Sequence, residues 1–343
     1  MSDALRSAFQ SQARACAKLG SPFMERLMTL MAERLTAESA VAERLLAWTG
    51  DVTSSGQSVP LRIAGSLHGL VLDGSDPALA AVYPPHEVSD DVLWAEVARA
   101  FVAHEARLMA WLDLPPQTNE VRRSAALIPA ALQVTEMFGL PLTISELGAS
   151  AGLNLAFSDF ALLADGALRG AENAPVRLTP DWTGAAPPDL PLKVIDRAGV
   201  DLNPLDPSEP DQALRLLSYL WPDQPDRLRL TRAAMELAQT RPAKGDAAGW
   251  LADRLETRRP GTTHFIYHTI AWQYFPPETQ AACTATMEAA GRNATLDAPI
   301  AHFAMEADDQ SSGAGMTLKT WPGGEEIALG RVDFHGRWID WHL

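Results

Sequence analysis

Cysteine is scarce: the 343-residue chain has two, Cys16 and Cys283, far apart and in unlike contexts. Two isolated thiols argue against a disulfide framework and fit a reducing compartment. Basic runs are missing too. Lys and Arg number 28 against 43 Asp and Glu, a formal net charge of -15. Phosphate backbones are held by clustered cations, so nucleic acid is not expected as a partner. No apolar stretch reaches the roughly 18 residues that a membrane span requires. Met1-Ser2-Asp3-Ala4-Leu5-Arg6 also lacks the basic start and apolar run of a signal peptide. These absences lead to the expectation of a cytoplasmic protein with no membrane partner, and they leave the oligomeric state open. What is plentiful is apolar residues, 47% of the chain, enough for one large core or two.

The patterning divides the chain. From residue 1 to 127 apolar residues recur at helical spacing, as in Phe23-Met24-Leu27-Met28-Leu30-Met31 and Leu93-Val97-Phe101. A stretch from Val59 to Leu72 reads as a buried helix. Residues 128–343 alternate short strands with helices, which predicts a sheet with helical crossovers. Strands are expected at Leu142–Leu147, Val176–Thr179, His264–Ile270 and Pro299–Glu306. A helix is expected over Leu153–Leu163, a Pro- and Asp-rich loop over Pro187–Pro210, and a closing antiparallel hairpin at Met316–Trp321 and Ile327–Phe334. The fold class is thus α/β: a Rossmann-like sheet with a closing hairpin, preceded by a helical domain that acts as a lid.

Within this pattern, Glu146-Leu147-Gly148-Ala149-Ser150-Ala151-Gly152-Leu153-Asn154 carries a strand into a glycine-bearing turn. As Glu-x-Gly-x-Ser-x-Gly it is a cofactor turn: Gly148 and Gly152 let a ligand approach the backbone, the next helix offers N–H groups, and Glu146 accepts from an ammonium group. As Gly-x-Ser-x-Gly it is a nucleophile elbow with Ser150 attacking, and Asp308 or Asp309 with His335 completing a triad. That reading lacks an upstream oxyanion segment, since Leu67-His68-Gly69-Leu70 reads as helix. A third reading is that the small residues merely let a helix pack closely on a strand.

Further residues have both a chemical and a structural reading. The segment Gln117-Thr118-Asn119-Glu120 with Arg122 and Arg123 can hold an anionic substrate or form a solvated cap. Asp201-Leu202-Asn203-Pro204-Leu205-Asp206 lacks the glycine and distal Glu of a calcium loop and reads as a turn, with Asn203 able to touch substrate. His264 and His268 share a strand face, but no further ligand at metal spacing completes a set, and no metal is expected. His268 near a strand's C-terminal end, with Tyr274 after it, is placed to assist a proton transfer or to sit satisfied in the core.

The second half resembles the class I S-adenosylmethionine-dependent methyltransferases. The resemblance assigns the cofactor to Glu146, Gly148, Ser150, Gly152 and Asn154. It assigns the ribose hydroxyls to Asp181, the adenine face to Trp182 and the adenine amino group to Asp246. It implies methyl transfer to a small molecule by positioning in a dry site, with His268 or Tyr274 assisting deprotonation. Over nearly the whole chain, Pro60–His68, Tyr83-Pro84-Pro85, Gln117–Arg123, Glu146–Asn154, Asp201–Asp206, Leu220-Trp221-Pro222 and His335–Trp338 resemble a bacterial family known only as domain of unknown function 2332. That resemblance implies no activity.

Overall fold

The computed structural model describes residues 2–308, 310 and 312–343. Contacts divide the chain into two compact units, residues 1–118 with 208–228, and residues 119–207 with 229–343. The helical unit therefore ends before residue 127 and regains a later segment, while Asn119–Leu127 belongs with the sheet.

The helical unit follows from its caps and apolar stripes. Ser2, Ser21, Ser39 and Ser89 each accept from a backbone N–H at the start of Asp3–Lys18, Pro22–Arg34, Ala40–Leu46 and Asp90–Ala103. Val59–Leu72 is buried over most of its surface. Its glycines are required by packing: a Cβ at Gly65 would lie 2.4 Å from the Tyr219 ring, and one at Gly69 2.5 Å from Trp111. Burial pushes His68, in the same helix, down to about 4, and its Nδ1 lies 3.1 Å from the Ser218 carbonyl. No oxyanion segment is present in that stretch, because its N–H groups lie inside a regular helix.

In the α/β unit the strands are β1 (Leu142–Leu147), β2 (Ala161–Ala164), β3 (Ala167–Arg169), β4 (Arg177–Leu178), β5 (Asp181–Thr183), β6 (Val194–Asp201), β7 (Ala243–Lys244), β8 (Thr263–Thr269), β9 (Ile300–Ala307), β10 (Ala314–Trp321), β11 (Glu325–Val332) and β12 (Trp338–Trp341). The main sheet runs β5-β12-β11-β10-β9-β8-β1-β6-β7, and β3-β2-β4 form a small second sheet. Strands β7, β6, β1, β8 and β9 are mutually parallel, and β9 to β12 form an antiparallel meander.

Two expectations change. Strand β6, which pairs with β1 on the side away from β8, lies inside the segment expected as a loop, and of the strand expected at Val176–Thr179 only Arg177–Leu178 (β4) forms, paired with β2 in the small second sheet. Charges interrupt β6's apolar run, yet each is satisfied at long range: Asp196 pairs with Arg254 and Arg259, and Arg197 donates to the Leu155 carbonyl. The helix expected over Leu153–Leu163 is a 3-10 segment, Leu153–Asp159, followed by β2.

The meander depends on a bulge. Gly330 pairs with Met316 while Ala328 pairs with Thr317, and Gly330 has φ +127. A Cβ there would lie 1.9 Å from the Asp340 carbonyl oxygen. Gly330→Ala is expected to cost at least about 3 kcal/mol of stability in urea denaturation, from backbone strain with the clash added to it.

Candidate functional site

The strand order reverses at β1. The chain passes to β6 and β7 on one side and to β8 and β9 on the other. In open α/β sheets, ligands collect outside the carboxyl ends at such a point. Near that end the register pairs Glu146 with Tyr267 and with Gly199, so Glu146, Tyr267 and Asp201 share one sheet face.

Glu146 is 2% exposed, and its Oε2 has no hydrogen-bond partner among the described residues. Burial pushes its carboxyl well above the usual range, and the nearby Asp201 adds to this, against Arg123 and the Tyr267 hydroxyl. The Tyr267 hydroxyl, itself pushed up by burial and then by Glu146, donates to the Asn154 carbonyl at 3.2 Å.

The turn after β1 is anchored by protein partners. Gly148 N and Ala149 N donate to the Val200 carbonyl at 3.0 Å each, and Ser150 N donates to Asp201 Oδ2 at 2.8 Å. Asn203 N donates to Asp201 Oδ1 at 2.9 Å, which brings the Asn203 loop to the same carboxylate. Asn119 Oδ1 accepts from Leu153 N at 2.9 Å, and Ser124 Oγ donates to Asn154 Oδ1 at 2.7 Å. Arg122 pairs with Glu120 at 3.4 Å, and Arg123 donates to the carbonyls of Thr269 and Phe334 at 3.0 and 3.1 Å.

Glu146, Gly148, Ser150, Gly152, Asn154, Asn119, Arg122, Arg123 and Asn203 are thus gathered at the strand ends, with Glu146, Ser150, Asn154 and Asn119 buried, Arg122 and Arg123 half-buried and Asn203 exposed. Gln117 belongs to the helical unit. The glycines serve the chain's own packing rather than leaving room for a ligand. At φ +73 a Cβ on Gly148 would lie 2.6 Å from Ala271 Cβ, and at φ +74 one on Gly152 would lie 2.9 Å from the Thr240 carbonyl. The 3-10 segment that follows is too short for the aligned dipole expected of a helix.

Other residues lie elsewhere. Asp181 and Trp182 are in β5, beside β12 at the far edge of the sheet, so Asp181 does not end the strand next to β1. Trp182 packs on Trp341, ring centroids 6.0 Å apart, and donates Nε1–H to the Gly184 and Ala185 carbonyls. Asp246 follows β7 and caps Ala247–Glu256, its Oδ2 accepting from Ala248 N and Gly249 N at 2.9 and 3.2 Å.

His268 faces away from Glu146, on the opposite side of the sheet. Its Nδ1 lies 2.7 Å from Glu306 Oε1, its Nε2 3.0 Å from His302 Nε2, and its ring stacks on Trp272 at 4.6 Å. Burial holds His302 well below its usual value. His264 lies 2.8 Å from Ser145 Oγ, and burial pushes it down to about 3. Tyr274 is 64% exposed. Among the described residues no group of three or more His, Cys, Asp or Glu is arranged to hold a metal ion. No helix of the described residues is long and apolar enough to cross a membrane.

Ser150 has the left-handed φ of +53, and its buried Oγ meets no partner among the described residues, so no base is in hydrogen-bond reach. Asp308 pairs instead with Arg331 at 2.7 Å, and Asp309 lies outside the described residues. Ser150→Gly is expected to raise stability by about 1 kcal/mol, measured by urea denaturation, by releasing the strain and the unpaired hydroxyl.

Tyr267 and Ser124 are residues at these strand ends that sequence reasoning missed, and it reads Asp201 only as part of a turn. The apolar positions Val194, Ile195, Ala198 and Val200 ahead of Asp201 are the signal that marks a strand ending in an acid. No curated protein matches the chain. A family model described as an uncharacterized protein conserved in bacteria matches residues 6–341.

Proposed function

We propose that this chain, which belongs to the uncharacterized bacterial family DUF2332, binds S-adenosylmethionine in its α/β unit for methyl transfer to a small molecule. The observation that carries the reading is the buried, unpartnered Glu146 Oε2 at the strand-order reversal. A buried carboxyl oxygen without a protein partner is completed by an ammonium group, which supplies donors and a charge that favours the carboxylate over the proton it otherwise holds. Each Asp201 oxygen accepts one backbone N–H and keeps a lone pair for a ribose hydroxyl. That role passes to Asp201 from Asp181.

The cofactor would supply an electrophilic methyl group. The protein's share is to hold, orient and exclude water. Glu146 would fix the amino-acid end, Asp201 the sugar, and Asp246, beyond the β7 end, the base. His268 has both ring nitrogens engaged and acts by positioning the turn after β8. Exposed Tyr274 in that turn is the group left to assist an acceptor's deprotonation.

Calorimetric titration with S-adenosylhomocysteine tests this, with micromolar binding expected. No binding at millimolar ligand would reduce the turn to a packing device, as its filled glycine sites favour. The esterase alternative is separated by a fluorophosphonate probe. Ser150 has no base and is expected to stay unlabelled; labelling would sink the cofactor reading.

A further inference from the structure

The α/β unit carries a cleft of about 690 Å³ between the 3-10 segment Leu153–Asp159, the loop 171–175 and the stretch 237–240. Its size falls in the range of small-molecule sites, about 300–1,000 Å³. Leu155, Ala156, Ala174, Pro175 and Leu237 give it short apolar walls. Arg197 from β6 lines it and is held rigidly. Its Nε donates to the Leu155 carbonyl at 3.0 Å, and its Nη2 to Ser158 Oγ at 2.7 Å and Asp159 Oδ2 at 3.1 Å. Those bonds leave Nη1 uncommitted to any described residue, on a side chain that is 29% exposed.

We infer that this cleft binds a small monocarboxylate with an apolar body, its carboxylate on Arg197 Nη1 and its hydrocarbon part along the Ala156–Leu237 wall. A guanidinium already oriented by three bonds presents its remaining N–H groups with little entropy left to lose, and carboxylate oxygens are its natural acceptors. Arg197 and Asp159 are the charged residues of the lining. Asp159 already takes Nη2, so the one face of the cation left open suits a single carboxylate at most, and a polyphosphate would find no second cation there. Gly152 borders both the cleft and the turn after β1, but the inference rests on Arg197 and the cleft walls and not on the cofactor reading.

The test titrates the full chain with 4-phenylbutyrate and with 4-phenylbutanamide, which keeps the shape and loses the charge. Saturable binding of the acid is expected, about tenfold weaker for the amide and for Arg197→Gln. Ala174→Trp, a change in a partly exposed loop that fills the cleft, is expected to abolish it. No saturable binding of the acid by about 10 mM, or binding unchanged in Ala174→Trp, would overturn the inference. Should Arg197→Gln fail to fold, Ala174→Trp and the amide decide. Failure of the cofactor reading registers separately, as absent S-adenosylhomocysteine binding with 4-phenylbutyrate binding intact, and that outcome supports the cleft.

Discussion

Glu146→Gln is expected to weaken S-adenosylhomocysteine binding by about 100-fold or more, because truncating one partner of a buried charge pair costs at least about 2–3 kcal/mol. The same substitution changes the pH dependence of stability, and the sign follows from the carboxyl's position. Burial and Asp201 raise its folded pKa above the unfolded value. Between those two values the folded chain holds a proton that the unfolded chain has lost, so stability falls as pH rises through that window. Gln does not titrate. The melting temperature of Glu146→Gln is therefore expected to exceed that of the wild type by a margin that widens from about pH 4.5 upward, 4.5 being the ordinary value. A pH-independent margin would show that Glu146 titrates as an exposed acid. An ammonium group beside Glu146 favours the carboxylate, so ligand binding should release a proton at mildly acidic pH in the wild type. Calorimetry in buffers of different ionisation enthalpy reads that release, which the Gln variant should lack.

Local signals made the turn legible from sequence and hid what surrounds it. Leu142–Leu147 running into Gly148 is a strand-to-turn pattern written in adjacent residues, and β1 ends as expected. The 3.6-residue apolar spacing likewise announced the helices at Phe23–Met31 and Leu93–Phe101. Strand β6 was hidden because Asp196 and Arg197 read as loop residues until Arg254, Arg259 and Leu155 satisfy them from afar. The misplacement of Asp181 followed directly. With β6 unseen, the next short apolar run took its place, although β5 pairs with β12 near the C-terminus. The sequence pattern reads the glycines as making room for a ligand, whereas Ala271 and Thr240 stand where their side chains would be, a closeness set by chain crossings that spacing does not encode.

Glu306→Ala is expected to destabilise the α/β unit strongly while leaving its apolar core intact. Glu306 Oε1 accepts from Ala271 N at 3.0 Å and Trp272 N at 3.1 Å, and lies 2.7 Å from His268 Nδ1. Alanine leaves these groups without their acceptor, at about 1–3 kcal/mol each where water cannot replace it, so a loss of about 3–5 kcal/mol in urea denaturation is expected. The consequence is local first. Ala271 Cβ closes over Gly148, Phe275 lies beside it, and Trp272 stacks on His268, so the turn after β8 is latched to the turn after β1 through this carboxyl. Amide exchange at Ala271 and Trp272 should accelerate by about 100-fold, the ratio for nearly 3 kcal/mol of lost local stability. Exchange there unchanged, with global stability lowered, would refute the latch. Glu306→Gln keeps one acceptor oxygen and should fall between the two. Because the latched turn borders the strand ends where Glu146 lies, the Ala variant should also lose ligand affinity, with Glu146 itself intact. His268 then influences binding through the position of Ala271 and Trp272, and His268→Asn should shift affinity and exchange together.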